Sequence, residues 1–270
     1  MKLKRRLRNC ALIGLLGIAS NLTSLRAEHP FRGAEGPTDF QLDNRLTLSE
    51  RESGKLNNYS LENNSILKWW PKNPSWIFAG ASIPYKYAES GAAQSEGIGD
   101  ISLLLGPRFV HRYSFGSLHY SIAGGVRLPT GDADAKPSLG SGSIDYMLNA
   151  GFTYLTPDKQ FNVDAAGVFT FAGKDRNHRS DNVFTGAVLG AKPTSSSSLR
   201  AFAGPIVNYQ LGGNNDGNYR VSLRTGVRFT PVNTKRWHIE GWADNDIASC
   251  NTPEGISGTL VFRYNFGKVK

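Results

Sequence analysis

Polar and apolar residues alternate one by one along several segments of the chain, and this pattern restricts the fold more than any other feature. In residues 143–154 the apolar side chains stand at every second position: Ile144, Tyr146, Leu148, Ala150, Phe152 and Tyr154. Residues 220–229 and 259–266 alternate in the same way. Because successive side chains of a strand point to opposite faces, each segment predicts a β-strand with one polar and one apolar face.

The alternation predicts about twelve strands, with ten or fourteen as alternative counts. The expected strand starts lie near Arg45, Tyr59, Ser75, Gly99, Leu118, Ser143, Gln160, Asn182, Arg200, Tyr219, Trp237 and Ile256. Most of these strands span about 9 to 13 residues, whereas soluble proteins average about five or six and a membrane-crossing strand needs roughly 9–11. Strand length therefore favours an all-β, antiparallel transmembrane β-barrel over a secreted β-sandwich, the alternative fold. In hydrocarbon, only a closed sheet pairs every backbone group.

The connections between the expected strands alternate between short and long. The short ones are residues 71–74, 114–116, 156–159, 193–198 and 231–236. The longer, more polar ones are residues 49–58, 88–98, 129–142, 173–181, 212–218 and 245–255. Outer-membrane barrels have short periplasmic turns and long extracellular loops. With an even number of strands, this rhythm predicts that both termini lie in the periplasm.

The two ends of the chain carry export and assembly signals. The amino-terminal basic residues Lys2, Lys4, Arg5, Arg6 and Arg8 precede a short apolar run at 11–19, and small residues lead to Ala27. This order predicts a signal peptide over 1–27 that is removed, then a polar periplasmic leader over 28–42 and a barrel over 43–270. At the other end, Gly258, Phe262, Tyr264 and Phe266 resemble the final-strand signal of the barrel-insertion machinery. The expected location is the bacterial outer membrane, with outer-membrane lipid and that machinery as partners.

Charge and cysteine content exclude several other classes. The signal segment holds six of the 31 basic residues and none of the 22 acidic ones, which leaves 25 basic against 22 acidic residues in the mature chain. The formal charge of +9 is therefore largely a property of the signal, and nucleic acid is not an expected partner. Cys250 alone remains after cleavage, so no internal disulfide can form. No metal site and no cofactor are predicted, because the five histidines lack ligand spacing.

The polar face of the strands contains a row of arginines. Arg220, Arg224 and Arg228 share one face of the tenth expected strand, and His238, Glu240 and Asp244 share a face of the next. We expect Arg228 opposite His238, with Glu240 between Arg224 and Arg228. Three more arginines are expected to line the pore: Arg108, Arg127 and Arg263. Two interpretations stay open, a constriction that selects anionic or polar solutes and a cross-strand salt-bridge network that rigidifies a narrow barrel.

Catalysis by the barrel wall is the least favoured function. A nucleophilic site needs a serine beside a histidine that a third group orients. His111 and Ser114 are close in sequence, as are His178 and Ser180. Neither pair has the surroundings of a barrel hydrolase, so the protein is not expected to be an enzyme.

Two short motifs resemble a known family. They are Gly-Ile-Gly-Asp at 97–100 and Gly-Val-Arg-Leu-Pro-Thr-Gly-Asp at 125–132, with Ser-Ile-Pro-Tyr at 82–85 just before them. They are similar to motifs of bacterial outer-membrane transporters known as "MetA-pathway of phenol degradation" proteins. The resemblance implies a barrel that passes small, often aromatic or hydrophobic, compounds.

Asp100 and Asp132 of these motifs are expected at the extracellular rim. They either form an acidic mouth or, in the favoured interpretation, shape turns by accepting backbone hydrogen bonds. A channel for passive passage of small solutes is thus the leading function, in a pore that twelve strands would make narrow. A structural or receptor barrel that acts through its extracellular loops is the alternative.

Overall fold

The computed structural model describes residues 40–53, 56–71, 76–158, 161–173, 182–193, 198–211, 217–231, 236–252 and 254–266. The predicted signal peptide and most of the leader lie outside these residues. The strands are β1 (Phe40–Ser53), β2 (Leu56–Trp69), β3 (Ile77–Ser90), β4 (Ala93–Ile98), β5 (Ile101–Tyr113), β6 (Gly116–Leu128), β7 (Asp145–Leu155), β8 (Asn162–Phe171), β9 (Asn182–Pro193), β10 (Leu199–Leu211), β11 (Tyr219–Phe229), β12 (Trp237–Cys250) and β13 (Gly255–Phe266). The described part of the chain contains no helix that is long and apolar enough to cross a membrane.

Twelve of the strands form a closed antiparallel barrel. Leaving out β4, each strand pairs with the strands before and after it in sequence, so that β2 pairs with β3 and β3 with β5. The pairing of β1 with β13 closes the ring. The predicted all-β class, barrel and strand number are thereby confirmed. The extra strand, β4, pairs with the second half of β3, while β5 pairs with the first half. Gly91, with a φ of 60°, provides the positive dihedral that the tight β3–β4 turn needs.

The alternation separates the two faces of the wall as predicted. On β7, Asp145, Asn149 and Thr153 are buried, whereas Tyr146 and Leu148 are exposed. Along β13 the buried positions are again polar apart from Val261, and the apolar side chains that alternate with them face outward. Polar inside and apolar outside is the reverse of a soluble protein, and it suits a wall that faces lipid.

Several strands extend further than expected. β1 begins at Phe40, so the last residues of the predicted leader belong to the barrel. Three predicted loops are shorter because strands continue into them: 49–58 reduces to a connection at 54–55, 88–98 contains the β3–β4 hairpin, and 245–255 reduces to 251–254. Outside the bilayer the outward-facing side chains can be polar, so the polar–apolar alternation is lost although the strands remain paired. Most of the predicted loop at 173–181, and of that at 212–218, lies beyond the described residues.

We call the end of the barrel where β1 begins and β13 ends the terminal rim, and the opposite end the loop rim. The longest described connection, 129–144, leaves the loop rim between β6 and β7.

Gly-Pro pairs interrupt two strands in the middle of the wall. In β10, pairing with β9 is lost between Ala203 and Ile206, around Gly204 and Pro205. In β5, pairing with β6 is lost around Pro107. Proline lacks the N–H that a ladder requires. At Gly204 the strands approach so closely that an added Cβ would lie 1.9 Å from the carbonyl oxygen of Val188, which only glycine tolerates.

Apolar side chains also fill parts of the interior. One buried cluster joins Trp70 to Phe78, Leu104, Ala123 and Met147. A second cluster, further around the wall, contains Leu189, Ala191, Phe202, Trp242 and Val261. Trp69 faces outward beside the inward-facing Trp70, and its ring stacks on Phe40 with centroids 6.5 Å apart. Each cluster has an arginine over its tryptophan ring.

Candidate functional site: the charged interior

Asp43 is the centre of a buried group of charges near the terminal rim. Arg263 of β13 binds its carboxylate with two parallel hydrogen bonds, Nε to Oδ1 at 2.7 Å and Nη2 to Oδ2 at 3.0 Å. The ammonium of Lys68 on β2 donates to Oδ2 at 2.8 Å, and Arg45 Nη2 lies 3.6 Å from the same oxygen. The amide of Gln41 donates to Oδ1 at 2.5 Å. One carboxylate therefore contacts cations from three strands.

Arg263 connects this group to a second carboxylate. Its Nη1 donates to Oε1 of Glu240 on β12 at 3.2 Å, and Arg228 of β11 donates from Nε to the same oxygen. We call the six residues the ion cluster: Asp43, Arg45, Lys68, Arg228, Glu240 and Arg263. Asp43 and Glu240 are 0% exposed and Arg263 is 1% exposed. Water therefore does not reach these three residues, and each of the two carboxylates is compensated by the cations that contact it.

The ion cluster carries four cations and two carboxylates. It draws them from β1, β2, β11, β12 and β13, five strands that are adjacent around the wall. His238 lies at its edge, with Nδ1 at 2.8 Å from the Thr230 hydroxyl and Nε2 at 3.2 Å from Asn265 Nδ2. The arrangement ties together the strands on both sides of the β1–β13 closure.

A second set of ion pairs lies nearer the loop rim. Arg224 binds Asp244 with two hydrogen bonds, of 2.7 and 2.9 Å, and its guanidinium lies over the ring of Trp242, 4.6 Å from the centroid. Arg220 Nε lies 3.5 Å from Asp246 Oδ1. These pairs join neighbouring strands, so the arginines of β11 each face a carboxylate on β12.

The predicted register between β11 and β12 is wrong by two residues. Arg228 pairs with Glu240, not with His238, and Arg224 pairs with Asp244. The turn that joins the strands determines this offset, and turn geometry is not encoded in the alternation. The correct register places Arg224 and Arg228 opposite carboxylates, as the salt-bridge interpretation requires, while Arg220 lies opposite Ser249. Contact of these arginines with a passing solute stays a prediction.

Arg108 and Arg127 lie apart from the ion cluster. The guanidinium of Arg108 stands 5.9 Å from the centroid of the Trp70 ring. Arg127 is at the loop rim, where its Nη1 lies 3.5 Å from Asp145 Oδ2. Neither contributes to the network around Asp43.

Sequence reasoning missed Asp43 and Lys68, the partners that define the ion cluster. The sequence prediction places Asp43 directly after the leader and before the first expected strand. Gln41, Asp43 and Arg45 nevertheless alternate with Leu42 and Leu46, and this was the signal that could have extended the strand. Since β1 closes the barrel, its inward-facing residues contact those of β2 on one side and those of β13, the last strand, on the other.

The two family motifs form a clasp at the loop rim. The Thr130 hydroxyl donates to the carbonyl oxygen of Gly99 at 2.7 Å and accepts from the Ile101 N–H at 3.0 Å. The Asp100 carboxylate accepts from the N–H of Gly131 at 3.1 Å and of Ser141 at 2.6 Å. Both ends of the connection 129–144 are thereby held against the start of β5.

The same connection packs onto the inner side of the β3–β4 hairpin. Lys86 Nζ donates to the carbonyl oxygen of Leu139 at 3.2 Å, and Leu139 is buried. The exposed Asp132 accepts from the N–H groups of Asp134 and Ala135 at 2.9 and 3.2 Å. Both motif aspartates thus bind backbone N–H groups, as the turn-shaping interpretation expects.

The candidate catalytic pair His111 and Ser114 shows no nucleophilic arrangement. His111 is exposed, its ring stacks on Tyr120, and its Nε2 lies 3.1 Å from the Tyr120 hydroxyl. His178 and Ser180 lie outside the described residues. Within the described ranges, no group of three His, Cys, Asp or Glu residues could hold a metal ion.

Comparison with known proteins places this barrel in a family. The family model described as "Putative MetA-pathway of phenol degradation" matches residues 65–262. The chain belongs to this family. The predicted resemblance is confirmed, and both sequence motifs fall within the matched range. No curated protein matches the chain.

Solved outer-membrane proteins share the fold. The COG4313 outer membrane channel from Pseudomonas putida F1 has a TM-score of 0.69 at 14% identity, over 91% of this chain and 97% of that one. The CymD monoaromatic hydrocarbon channel has a TM-score of 0.50 at 8% identity, over 88% and 91% of the two chains. The translocator domain of the autotransporter NalP from Neisseria meningitidis also reaches 0.50, at 14% identity and over 86% and 90%. These similarities show that the chain shares the fold of outer-membrane β-barrels.

Proposed function

We propose that the protein is a channel for the passive passage of small solutes across the bacterial outer membrane. The observation that carries this proposal is the closed twelve-stranded wall with apolar residues outside and charged residues inside. An interior of this kind offers a polar route, which a purely structural barrel with an apolar core would not need. The family is named for phenol degradation and CymD for monoaromatic hydrocarbons, so we propose small aromatic compounds as the solutes.

The topology of the proposed channel follows from export and insertion. Residues 1–27 direct secretion and are removed, and both termini then face the periplasm, so the terminal rim is the periplasmic one. The final strand, β13, is the segment read by the insertion machinery. Arg108, Arg127, Arg220, Arg224 and Arg228 line the route, whereas the fully buried Glu240 and Arg263 hold the wall beside it. The buried ion cluster narrows it near the periplasm.

The alternative function, a receptor that acts through its loops, has less support. A recognition loop would project from the rim, whereas the connection 129–144 is bound along the inner side of the β3–β4 hairpin through Lys86 and Leu139. A loop in this position restricts the entrance of a lumen. Its placement therefore favours the channel.

Conductance in planar lipid bilayers tests the proposal. Purified mature protein that has folded, shown by its heat-dependent mobility in detergent gels, should produce discrete current steps. A folded barrel that produces none would refute the channel function. Uptake of radiolabelled phenol by cells with and without the gene would then measure whether small aromatic compounds pass.

A further inference from the structure

Two asparagines lie in the middle of the lipid-facing wall. On β1, Asn44 stands between Asp43 and Arg45, which are buried in the interior. On β2, Asn63 precedes Asn64, which is 0% exposed and accepts a hydrogen bond inside the barrel. Because successive side chains of a strand point to opposite faces, Asn44 and Asn63 both face outward.

The two asparagines are close to each other on the outer surface. The pairing of β1 with β2 places Asn44 opposite Ser65, and Asn63 is the next outward-facing residue of β2 toward the loop rim. Diagonal neighbours of this kind are about 7–8 Å apart. Ser65 is 8% exposed. We call Asn44, Asn63 and Ser65 the polar patch.

The polar patch lies at the depth of the bilayer centre. On β2, the outward-facing Trp69 and Tyr59 stand near the terminal rim and the loop rim, and such rings prefer the two membrane interfaces. Ser65 is four residues from Trp69, and Asn63 is four residues from Tyr59. The surrounding outward side chains are apolar and exposed, among them Leu48, Leu67, Ile83 and Phe262. The patch therefore places amide groups inside the band that contacts hydrocarbon.

These amides have no hydrogen-bond partner in the part of the chain that the structure describes. Oδ1 of Asn63 is buried without one, and no described residue forms a hydrogen bond with the Asn44 side chain. An amide in an apolar medium is strongly disfavoured unless it is hydrogen-bonded. Water and lipid headgroups stay at the surfaces of a hydrocarbon core about 30 Å thick. The missing partner is therefore a second membrane-spanning protein with polar groups at the same depth.

We propose that the polar patch is the contact between two copies of this chain in the outer membrane. A second copy presents the same amides at the same depth. Because an amide both donates and accepts hydrogen bonds, two identical patches related by a two-fold axis satisfy each other, and two-fold dimers are the commonest symmetric assemblies. Rotation of the Asn63 amide about χ2 turns either its oxygen or its nitrogen toward the partner. The inference does not depend on what the barrel transports.

Energy transfer between labelled barrels tests the dimer. In protein purified without residues 1–27, Cys250 is the single cysteine, and it lies at the loop-rim end of β12. One batch is labelled there with a donor and another with an acceptor, and the two are folded together into phosphatidylcholine vesicles. We expect energy transfer that persists as lipid dilutes the protein. With Asn44→Leu and Asn63→Leu combined, the dissociation constant should rise at least about tenfold, because the hydrogen bonds across the interface are lost.

The matched control is Thr225→Val, which also replaces a polar side chain on the lipid-facing wall. Thr225 lies on β11 between the exposed Leu223 and Val227, away from the polar patch, and its replacement should leave the dissociation constant unchanged. The leucine variant should fold, since apolar side chains suit this face, and heat-dependent mobility in detergent gels verifies that it has.

Two results would overturn the proposal. Energy transfer in the wild-type protein that never exceeds random encounter would refute the dimer. Equal dissociation constants in wild type and the leucine variant would refute the polar patch as its contact. Neither result bears on the channel function, which the conductance recordings test separately.

Discussion

Replacement of Asp43 by asparagine should weaken the barrel and widen the passage. The substitution keeps the size of the side chain and removes the charge that three cations share. Lys68 at 2.8 Å and Arg263 at 2.7 Å would lose their counter-ion in a place that water does not reach. Four cations of the ion cluster would then face only Glu240.

The expected loss is large for a single substitution. Removal of one partner from a buried ion pair costs about 3–5 kcal/mol, because the remaining charge is desolvated without compensation. A second substitution that removes one of the cations left without a counter-ion should recover part of this loss in stability. We therefore expect Asp43→Asn with Lys68→Gln to be more stable than Asp43→Asn alone.

Urea titration of the barrel in lipid vesicles, followed by tryptophan fluorescence, measures the unfolding free energy of each variant. Asp132→Asn is the matched control, since Asp132 is exposed and surface substitutions usually change stability by less than about 0.5 kcal/mol. Bilayer recordings should show a larger conductance and a shift toward anion selectivity for Asp43→Asn. Wild-type stability together with wild-type conductance in that variant would refute the assigned role of the ion cluster.

Two further predictions use neighbouring or equivalent residues as controls. Trp70→Ala should lower the free energy of unfolding by about 3–5 kcal/mol, as large-to-small changes in a packed interior do. Trp69→Ala, on the lipid-facing side, should lower it less, and urea titration measures both. Gly204→Ala should reduce the yield of folded barrel in gel-shift assays, because its Cβ would meet the Val188 carbonyl at 1.9 Å, whereas Gly124→Ala, with nothing within 4 Å, should fold normally. Equal effects within either pair would contradict the assigned packing.

The face that each residue presents could be predicted from the sequence, because alternation is a local property of a strand. Ile144, Tyr146, Arg224 and Arg228 therefore lie on the sides where the pattern predicts them. Strand count followed from the same property. The signal weakens where a strand leaves the bilayer, and this explains why the sequence predicts a loop over most of the β1–β2 hairpin.

Pairing between residues far apart in sequence could not be predicted in the same way. The register of β11 against β12 depends on turn geometry and on an irregularity between Val221 and Ser222. The contact between Asp43 and Arg263 exists because the first and last strands close the barrel. A local sequence pattern carries no information on either contact. The sequence therefore predicts that the arginines of β11 face inward, but not which carboxylates they bind.

The clasp between the two motifs changes what a motif match can tell about a relative. Thr130 and Asp100 bind backbone groups of the opposite motif, so any chain that must fold this connection back over its entrance has reason to keep them, whatever compound it carries. Shared motifs would then accompany diverse solutes across the family. The residues that determine which compound is transported should be sought among the inward-facing side chains of the strands, which lie outside the motifs.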